Sequence, residues 1–232
     1  MIGIICAMQE EISEILKLAS NTSYEKIHNM QFVKGVIGNS ECVLALCGVG
    51  KVHAAMCAQT MIIKYNPDII VNVGVAGGIA NELEIGDIVV ANAVVQHDFD
   101  VSGFTNRKKG EISGLDLIEI PCTEWLSNNL LNHAQNLPNL TVHSGIIVSG
   151  DQFINNGKKA QELYQNFNGM ACEMEAGSIG QVCYINGKEY SIVRAISDKA
   201  NSSSNVDFDK FIQYSSQNAA NILNNFIISY QG

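Results

Sequence analysis

A handful of acidic side chains and one arginine stand out in this sequence as groups able to do chemistry. Glu10 and Glu11 follow Met8-Gln9 where a short apolar run gives way to helical spacing, so one of them falls on the first turn of a helix just beyond a strand end. Taken alone, such a carboxylate is most often a favourable charge at a helix N-terminus. Glu173 and Glu175 flank Met174 at a strand-to-helix junction. Residues two apart share a face of a strand, so both carboxylates face one site if the strand reaches them. A carboxylate there is a natural acceptor for sugar hydroxyls, and the ordinary alternative is again a helix N-terminal charge. Val193-Arg194-Ala195-Ile196-Ser197-Asp198 is harder to explain by structure alone. Arg194 lies inside an apolar strand, where a guanidinium needs a paired acceptor. Asp198 ends that strand, where the sites of α/β proteins gather.

Two glycine motifs could bring backbone close to a ligand. Gly48-Val49-Gly50-Lys51 resembles part of a phosphate loop, but the Walker spacing is absent and no Ser or Thr follows the lysine. A strand-to-helix turn that needs positive φ explains it more simply. Gly74-Val75-Ala76-Gly77-Gly78 follows a buried run; it is either a tight turn or a place where small residues admit a ligand. The histidines at 28, 53, 97, 133 and 143 have no metal-ligand spacing, and no GxSxG elbow occurs. His97, with Asp98 and Asp100, is the least ordinary of them, and a hydrogen bond at a loop edge accounts for it. No metal site is expected.

The elements that must carry these groups alternate in type. Strands are expected at Ile2–Cys6, Phe32–Ile37, Cys42–Cys47, Ile69–Val73, Ile88–Val95, Leu140–Val148 and Tyr190–Ile196. Gly38-Asn39 supplies a turn between the second and third. Helices are expected at Met8–Leu18, Lys51–Tyr65, from a Thr123 cap to about Gln135, Lys158–Phe167, Glu175–Tyr184 and about Asp207–Tyr230. Residues 102–116 are polar and glycine-containing and are expected as an exposed loop. Near-continuous apolar strands between helices imply an α/β fold whose sheet is covered on both faces. No composition break divides the 232 residues, so one domain over 1–232 is expected.

Bulk chemistry excludes several function classes. A formal charge of −9 with only two arginines, Arg107 and Arg194, leaves no basic footprint for nucleic acid or an anionic membrane. No run of about 18 apolar residues suggests a membrane span. The first residues are too short and too acidic downstream for a signal peptide. Seven scattered cysteines without a CxxC pair fit buried, reduced thiols and a cytoplasmic setting.

Taken in order, the motifs resemble those of the 5′-methylthioadenosine/S-adenosylhomocysteine nucleosidases, within the nucleoside phosphorylase/hydrolase superfamily. The matching segments are Gly3-Ile4-Ile5-Cys6-Ala7-Met8-Gln9-Glu10-Glu11, Gly48-Val49-Gly50-Lys51-Val52, Gly74-Val75-Ala76-Gly77-Gly78, Gly86-Asp87-Ile88-Val89-Val90, Val148-Ser149-Gly150-Asp151-Gln152-Phe153-Ile154, Glu173-Met174-Glu175-Ala176 and Arg194-Ala195-Ile196-Ser197-Asp198. Each is modest alone; together they span nearly the whole chain.

The resemblance implies a three-layer sandwich with a central mixed β-sheet flanked by helices, and hydrolysis of an N-glycosidic bond to release adenine, in methionine salvage. It implies that Glu11 is the base that activates water and Asp198 the acid at adenine N7, oriented by Ser197. It implies Glu175 on the ribose hydroxyls, Met174 under the sugar, Phe153 stacked on adenine and the Ile154 backbone at the adenine edge. Gly77 lies in the matched glycine segment of the substrate site, and Arg194 matches a residue helping to hold the water. Met8, Val49 and Phe208 match the lining of the 5′-alkylthio pocket. Val101 and Phe104 match residues reaching in from a neighbouring subunit, so a homodimer is implied; no cofactor is. Three positions depart from the pattern: Val75 replaces a frequent serine, Cys6 a common glycine, and Thr105–Ser113 the usual aromatic, proline-containing stretch. Methylthioadenosine, S-adenosylhomocysteine, 5′-deoxyadenosine and aminodeoxyfutalosine are all substrates compatible with the resemblance. A phosphorylase or an AMP nucleosidase would need a cationic site that the matched motifs lack. A non-catalytic nucleoside-binding protein would not need both Glu11 and Asp198.

Overall fold

Runs of Ile and Val with buried flanks form the strands on which the site is built. The computed structural model describes residues 1–201 and 204–230. β1 (Ile2–Cys6) is buried along its whole length and leads into α1 (Gln9–Leu16). The helix is shorter than its apolar spacing suggested: Leu18 and Ala19 turn back onto the Ile15 and Leu16 carbonyls. β2 (Ser20–Ile27) follows, a mostly exposed strand of polar residues. It carries no apolar alternation because it is the sheet's outer edge, which hides it from a periodicity argument. β3 (Met30–Ile37) and β4 (Ser40–Leu46) pair antiparallel around Gly38-Asn39, with Gly38 at φ 59°.

α2 (Lys51–Tyr65) matches its expected span and ends on left-handed Asn66. β5 (Ile69–Gly78) does not stop at Val73. The glycine segment expected as a turn is the second half of this strand, buried throughout. β6 (Ile88–Gln96) follows, and residues 97–119 are irregular apart from one bridge between Ile112 and Leu117. That loop is exposed over much of its length, but Gly110 and Ile112 are buried. β7 (Ile120–Pro121) is a short addition to β6. α3 (Glu124–Gln135) starts after Thr123, whose hydroxyl accepts from the Tyr190 amide instead of capping the helix. The chain then runs through β8 (Val142–Ser149), α4 (Gly157–Phe167), β9 (Gly169–Glu173), α5 (Ala176–Ile185), β10 (Glu189–Asp198) and α6 (Ser204–Ser229).

An α/β fold with a mixed sheet and flanking helices is thus present. The sheet is not the flat middle layer of a three-layer sandwich, however. β5, β10, β6, β8 and β9 pair in turn and β9 returns to β5, closing a five-stranded barrel. β1, β4, β3 and β2 extend from β5 as a tail of sheet. α1, α3 and α6 pack together over one apolar cluster, and α2 with α5 over another.

One detail of the pairing opens the site. β1 pairs with β5 only as far as Asn72, and β9 takes up the same strand only from Gly77. Between them the edge of β5 is left without a strand partner, and a fork opens where the sheet divides. Ligands of α/β sheets sit at such divergence points because backbone groups there are free of the ladder.

Candidate active site

The fork is filled first by Glu11. Its Oε1 accepts from the Val75 amide at 3.0 Å, the donor left over at the edge of β5. Its Oε2 accepts from Ala7 at 2.8 Å and Met8 at 3.0 Å, so the carboxylate also satisfies the N-cap amide of its own helix and the amide before it. The helix-terminal reading of this residue is therefore correct but incomplete. Gly74 explains its own identity here: a Cβ on it would lie 2.5 Å from Glu11 Oε1. Burial raises the Glu11 pKa, and Arg194 and the three amides oppose that rise without cancelling it.

Asp198 reaches the same wall from the other neighbour of β5. β10 keeps regular register with β5 up to Ile196 opposite Ala76, then carries one extra residue, Ser197, before Asp198 faces Gly77. Such a bulge re-aims a side chain. Ser197 Oγ donates to Asp198 Oδ2 at 3.0 Å, and the Ala200 amide donates to Oδ1 at 2.8 Å. A Cβ at position 77 would lie 3.0 Å from Asp198 Oδ1, so this glycine too makes room for a carboxylate. Glu11 and Asp198 thus lean on β5 three residues apart, roughly 10 Å along the strand.

β9 and the turn that follows it supply two more carboxylates. Glu173 accepts from Arg194 Nη2 at 2.7 Å, from the Glu175 and Ala176 amides at 3.0 and 2.8 Å, and from the Ser149 hydroxyl. Arg194 Nη2 also donates to Asn72 Oδ1, and Nη1 to backbone carbonyls at 193 and 72. Both terminal nitrogens of the buried arginine therefore have acceptors. It is not part of the cavity wall; it stands behind Glu173, with its Nε buried and without a protein partner. Glu175 is the residue before α5, and its Oε1 accepts from the Gly50 amide at 2.8 Å. Burial, and then the neighbouring Glu173 carboxylate, push the Glu175 pKa up to about 8.

These groups surround one cavity of about 290 Å³, near the lower end of the range for small-molecule sites. Met8, Glu11, Val49, Gly77, Phe153, Met174, Glu175, Ser197, Asp198 and Phe208, all singled out from sequence, line it. Phe153 and Phe208 meet edge to face, with centroids 6.0 Å apart. Ile154 lines a small adjoining space that shares Phe153, Met174 and Asp198. Val101 and Phe104 do not reach the cavity within this chain, and Phe104 is 82% exposed. Ala7, Val75, Ala76, Cys172 and Glu173 complete the wall. Glu173 was visible only as one of two carboxylates around Met174, and nothing in its spacing told which would be held in an ion pair. Gly48 and Gly50 have φ of 88° and 100°, as a strand-to-helix turn requires.

The arrangement brings four carboxylates, Glu11, Glu173, Glu175 and Asp198, to the wall of a largely apolar cavity. None of the described wall residues is basic, so an incoming phosphate would meet repulsion. Among the described residues no group of three or more His, Cys, Asp or Glu could hold a metal ion, and no helix is long and apolar enough to cross a membrane. All seven cysteines are buried and unpaired.

A forked, partly closed sheet with acidic groups over the fork is shared with a class of known proteins. A sequence model of the phosphorylase superfamily matches residues 1–228. A 5′-methylthioadenosine/S-adenosylhomocysteine nucleosidase of an Exiguobacterium species is 36% identical over 226 residues, covering 96% of this chain and 95% of that protein. The crystal structure of the nucleosidase of that name from Neisseria meningitidis, in complex with methylthio-immucillin-A, superposes with a TM-score of 0.95 at 29% identity over 99% of both chains. A futalosine hydrolase from Helicobacter pylori gives 0.93 at 34% identity, over 99% of this chain and 97% of its own. The chain belongs to the phosphorylase superfamily and, within it, to the 5′-methylthioadenosine/S-adenosylhomocysteine nucleosidase family.

Proposed function

We propose that this protein hydrolyses the N-glycosidic bond of 5′-methylthioadenosine and S-adenosylhomocysteine, releasing adenine and the 5-thio-substituted ribose. The observation that carries the reading is that Glu11 and Asp198 both lean on one segment of β5 and both line a single cavity. Breaking the bond puts positive charge on the ribosyl ring and negative charge on the departing base. Asp198 protonates, or shares a proton with, adenine N7, and Ser197 fixes the carboxyl for that task. Glu11 takes the proton of the attacking water; its raised pKa makes it a stronger base than an exposed glutamate. Arg194 does not line the cavity and acts on this step through its charge, which opposes the rise in the Glu11 pKa. Glu175 binds the ribose hydroxyls through its carboxyl oxygens.

Phe153 stacks on adenine, the Ile154 backbone reads its edge, and Met174 packs beneath the sugar. Met8, Val49 and Phe208 form the apolar 5′ end, where Val49 is half exposed. Val101 and Phe104 complete that end from a second copy of the chain. The chemistry calls for no metal or organic cofactor. The setting is cytoplasmic methionine salvage.

Adenine release from 5′-methylthioadenosine in phosphate-free buffer tests the reading; strict dependence on phosphate would replace it with phosphorolysis. The likeness to a futalosine hydrolase favours a second substrate class at the same site. The atypical loop Thr105–Ser113 adjoins the 5′ end in sequence and is where such specificity would be set. Specificity constants for methylthioadenosine, S-adenosylhomocysteine, 5′-deoxyadenosine and aminodeoxyfutalosine decide among them.

A further inference from the structure

We propose that Lys51, Asp98 and Asp151 form a latch of positioning residues that holds three substrate-binding loops together, acting on binding and not on bond breaking. The proposal rests on the nucleosidase reading for the identity of its ligand. The latch is a closed circuit. Gly50, the residue before α2, has no side chain with which to cap the helix. Asp151, from the loop after β8, supplies that function instead: its Oδ1 accepts from the Lys51 amide at 2.8 Å. Asp98, in the turn after β6, accepts from Lys51 Nζ at 2.6 Å through Oδ1 and from the Asp151 amide at 2.9 Å through Oδ2. Each residue therefore holds the other two.

What these segments carry gives the circuit its meaning. Val49 lies two residues before Lys51, Phe153 two residues after Asp151, and Val101 three after Asp98. Glu175 grips the same turn from the cavity side through the Gly50 amide. The 5′ lining, the adenine ring partner and the ribose carboxylate are thus tied at one point. None of the three latch residues lines the cavity, so none touches the reacting atoms.

Two features set the latch apart from a chance surface ion pair. The Lys51 and Asp98 side chains are each only 19% exposed, so their attraction is less screened than that of solvated pairs, which contribute little. Burial of Asp98 opposes its ionisation, yet the Lys51 ammonium and the Asp151 amide hold its carboxyl below the usual range. Glycines also clear the approach. A Cβ at Gly50 would lie 3.1 Å from Asp151 Oδ1, and one at Gly150 would lie 2.4 Å from His97 Nε2 and 3.1 Å from Asp98 Cγ.

A contact equally present in ground and transition states changes KM and leaves kcat. Lys51→Met and Asp98→Asn should each raise KM for 5′-methylthioadenosine by about tenfold while kcat stays within about threefold. The double variant should be no worse than the poorer single one, because the two act as one unit. Lys51→Arg, which keeps the charge, should restore KM. Calorimetric binding of an adenosine analogue should weaken in parallel. An unchanged KM and Kd in folded single variants, additive losses, or a fall in kcat at constant KM would each overturn the latch. Asp98→Asn is isosteric and carries the test if Lys51→Met does not fold. A wild-type protein that binds the analogue but releases no adenine defeats the nucleosidase reading instead, and the latch is then judged on Kd alone.

Discussion

Glu11 and Asp198 are the same kind of group asked to do opposite things, and they sit in different surroundings. Glu11 is enclosed by backbone amides and by the field of Arg194, yet burial dominates and raises its pKa. A base must be ionised to act, so activity falls as pH drops through the raised value. The acidic limb of kcat/KM should therefore lie above the ordinary glutamate range, and a limb at or below that range would remove Glu11 as the base. Glu11→Gln should lower kcat by about 10²–10⁴-fold while analogue binding persists, because the amide keeps an acceptor for the Val75 donor. Loss of binding would assign Glu11 a different role. Asp198 sits against a hydroxyl and a backbone amide beyond a bulge. Asp198→Asn preserves volume but removes the proton, and a loss of about 10²–10⁴-fold in kcat is expected, with the melting temperature little changed. Turnover at the wild-type rate would exclude it as the acid.

At the scale of elements, the division of β5 between β1 and β9 is what makes a site possible, and Gly74 is its most exposed assumption. A Cβ there would meet the Glu11 carboxylate at 2.5 Å. Gly74→Ala should displace Glu11 and cost most of the turnover in a protein that still folds, since alanine is compatible with an extended strand. An active Gly74→Ala variant would show that the position of Glu11 is not critical. The same region shows where the sequence was readable. Buried strands announced themselves as Ile/Val runs, and α2 by its spacing, because burial on two faces or on one helical face leaves a compositional trace. The polar edge strand β2 left none. The glycines at 74 and 77 were ambiguous because the need they meet is created by side chains distant in sequence, Glu11 and Asp198. Closure of the barrel was not legible either: it depends on β10 and β9 both finding β5, which no local pattern records. The carboxylates of the site were identified as candidates, but that Arg194 serves Glu173 from behind the wall follows only from the packed arrangement.

At the scale of the whole molecule, two properties follow from concentrating acidic groups in one interior with apolar residues left outside. Phe104, Val52 and Met56 are 82%, 69% and 53% exposed, and a second copy covering them would complete the 5′ end of the site. Sedimentation of the protein at micromolar concentration should show a dimer, and Phe104→Ser should raise KM for methylthioadenosine; a fully active monomer would dismiss the shared pocket. The second property concerns stability. Glu175 binds its proton more tightly in the folded chain, at about 8, than in the unfolded one, at roughly 4.3. Folding is therefore favoured by its protonated form. That contribution is whole below the unfolded value, declines as pH rises, and is gone above about 8, where the carboxylate must be kept ionised in a buried site. Glu175→Gln holds the group neutral at every pH and keeps an acceptor for the Gly50 amide. The variant should melt several degrees higher than the wild type at pH 9, with the gap closing toward pH 5, and it should bind substrate less well throughout. A Tm difference that does not vary with pH, or one that widens in acid, would show that the ionised Glu175 does not strain the empty site.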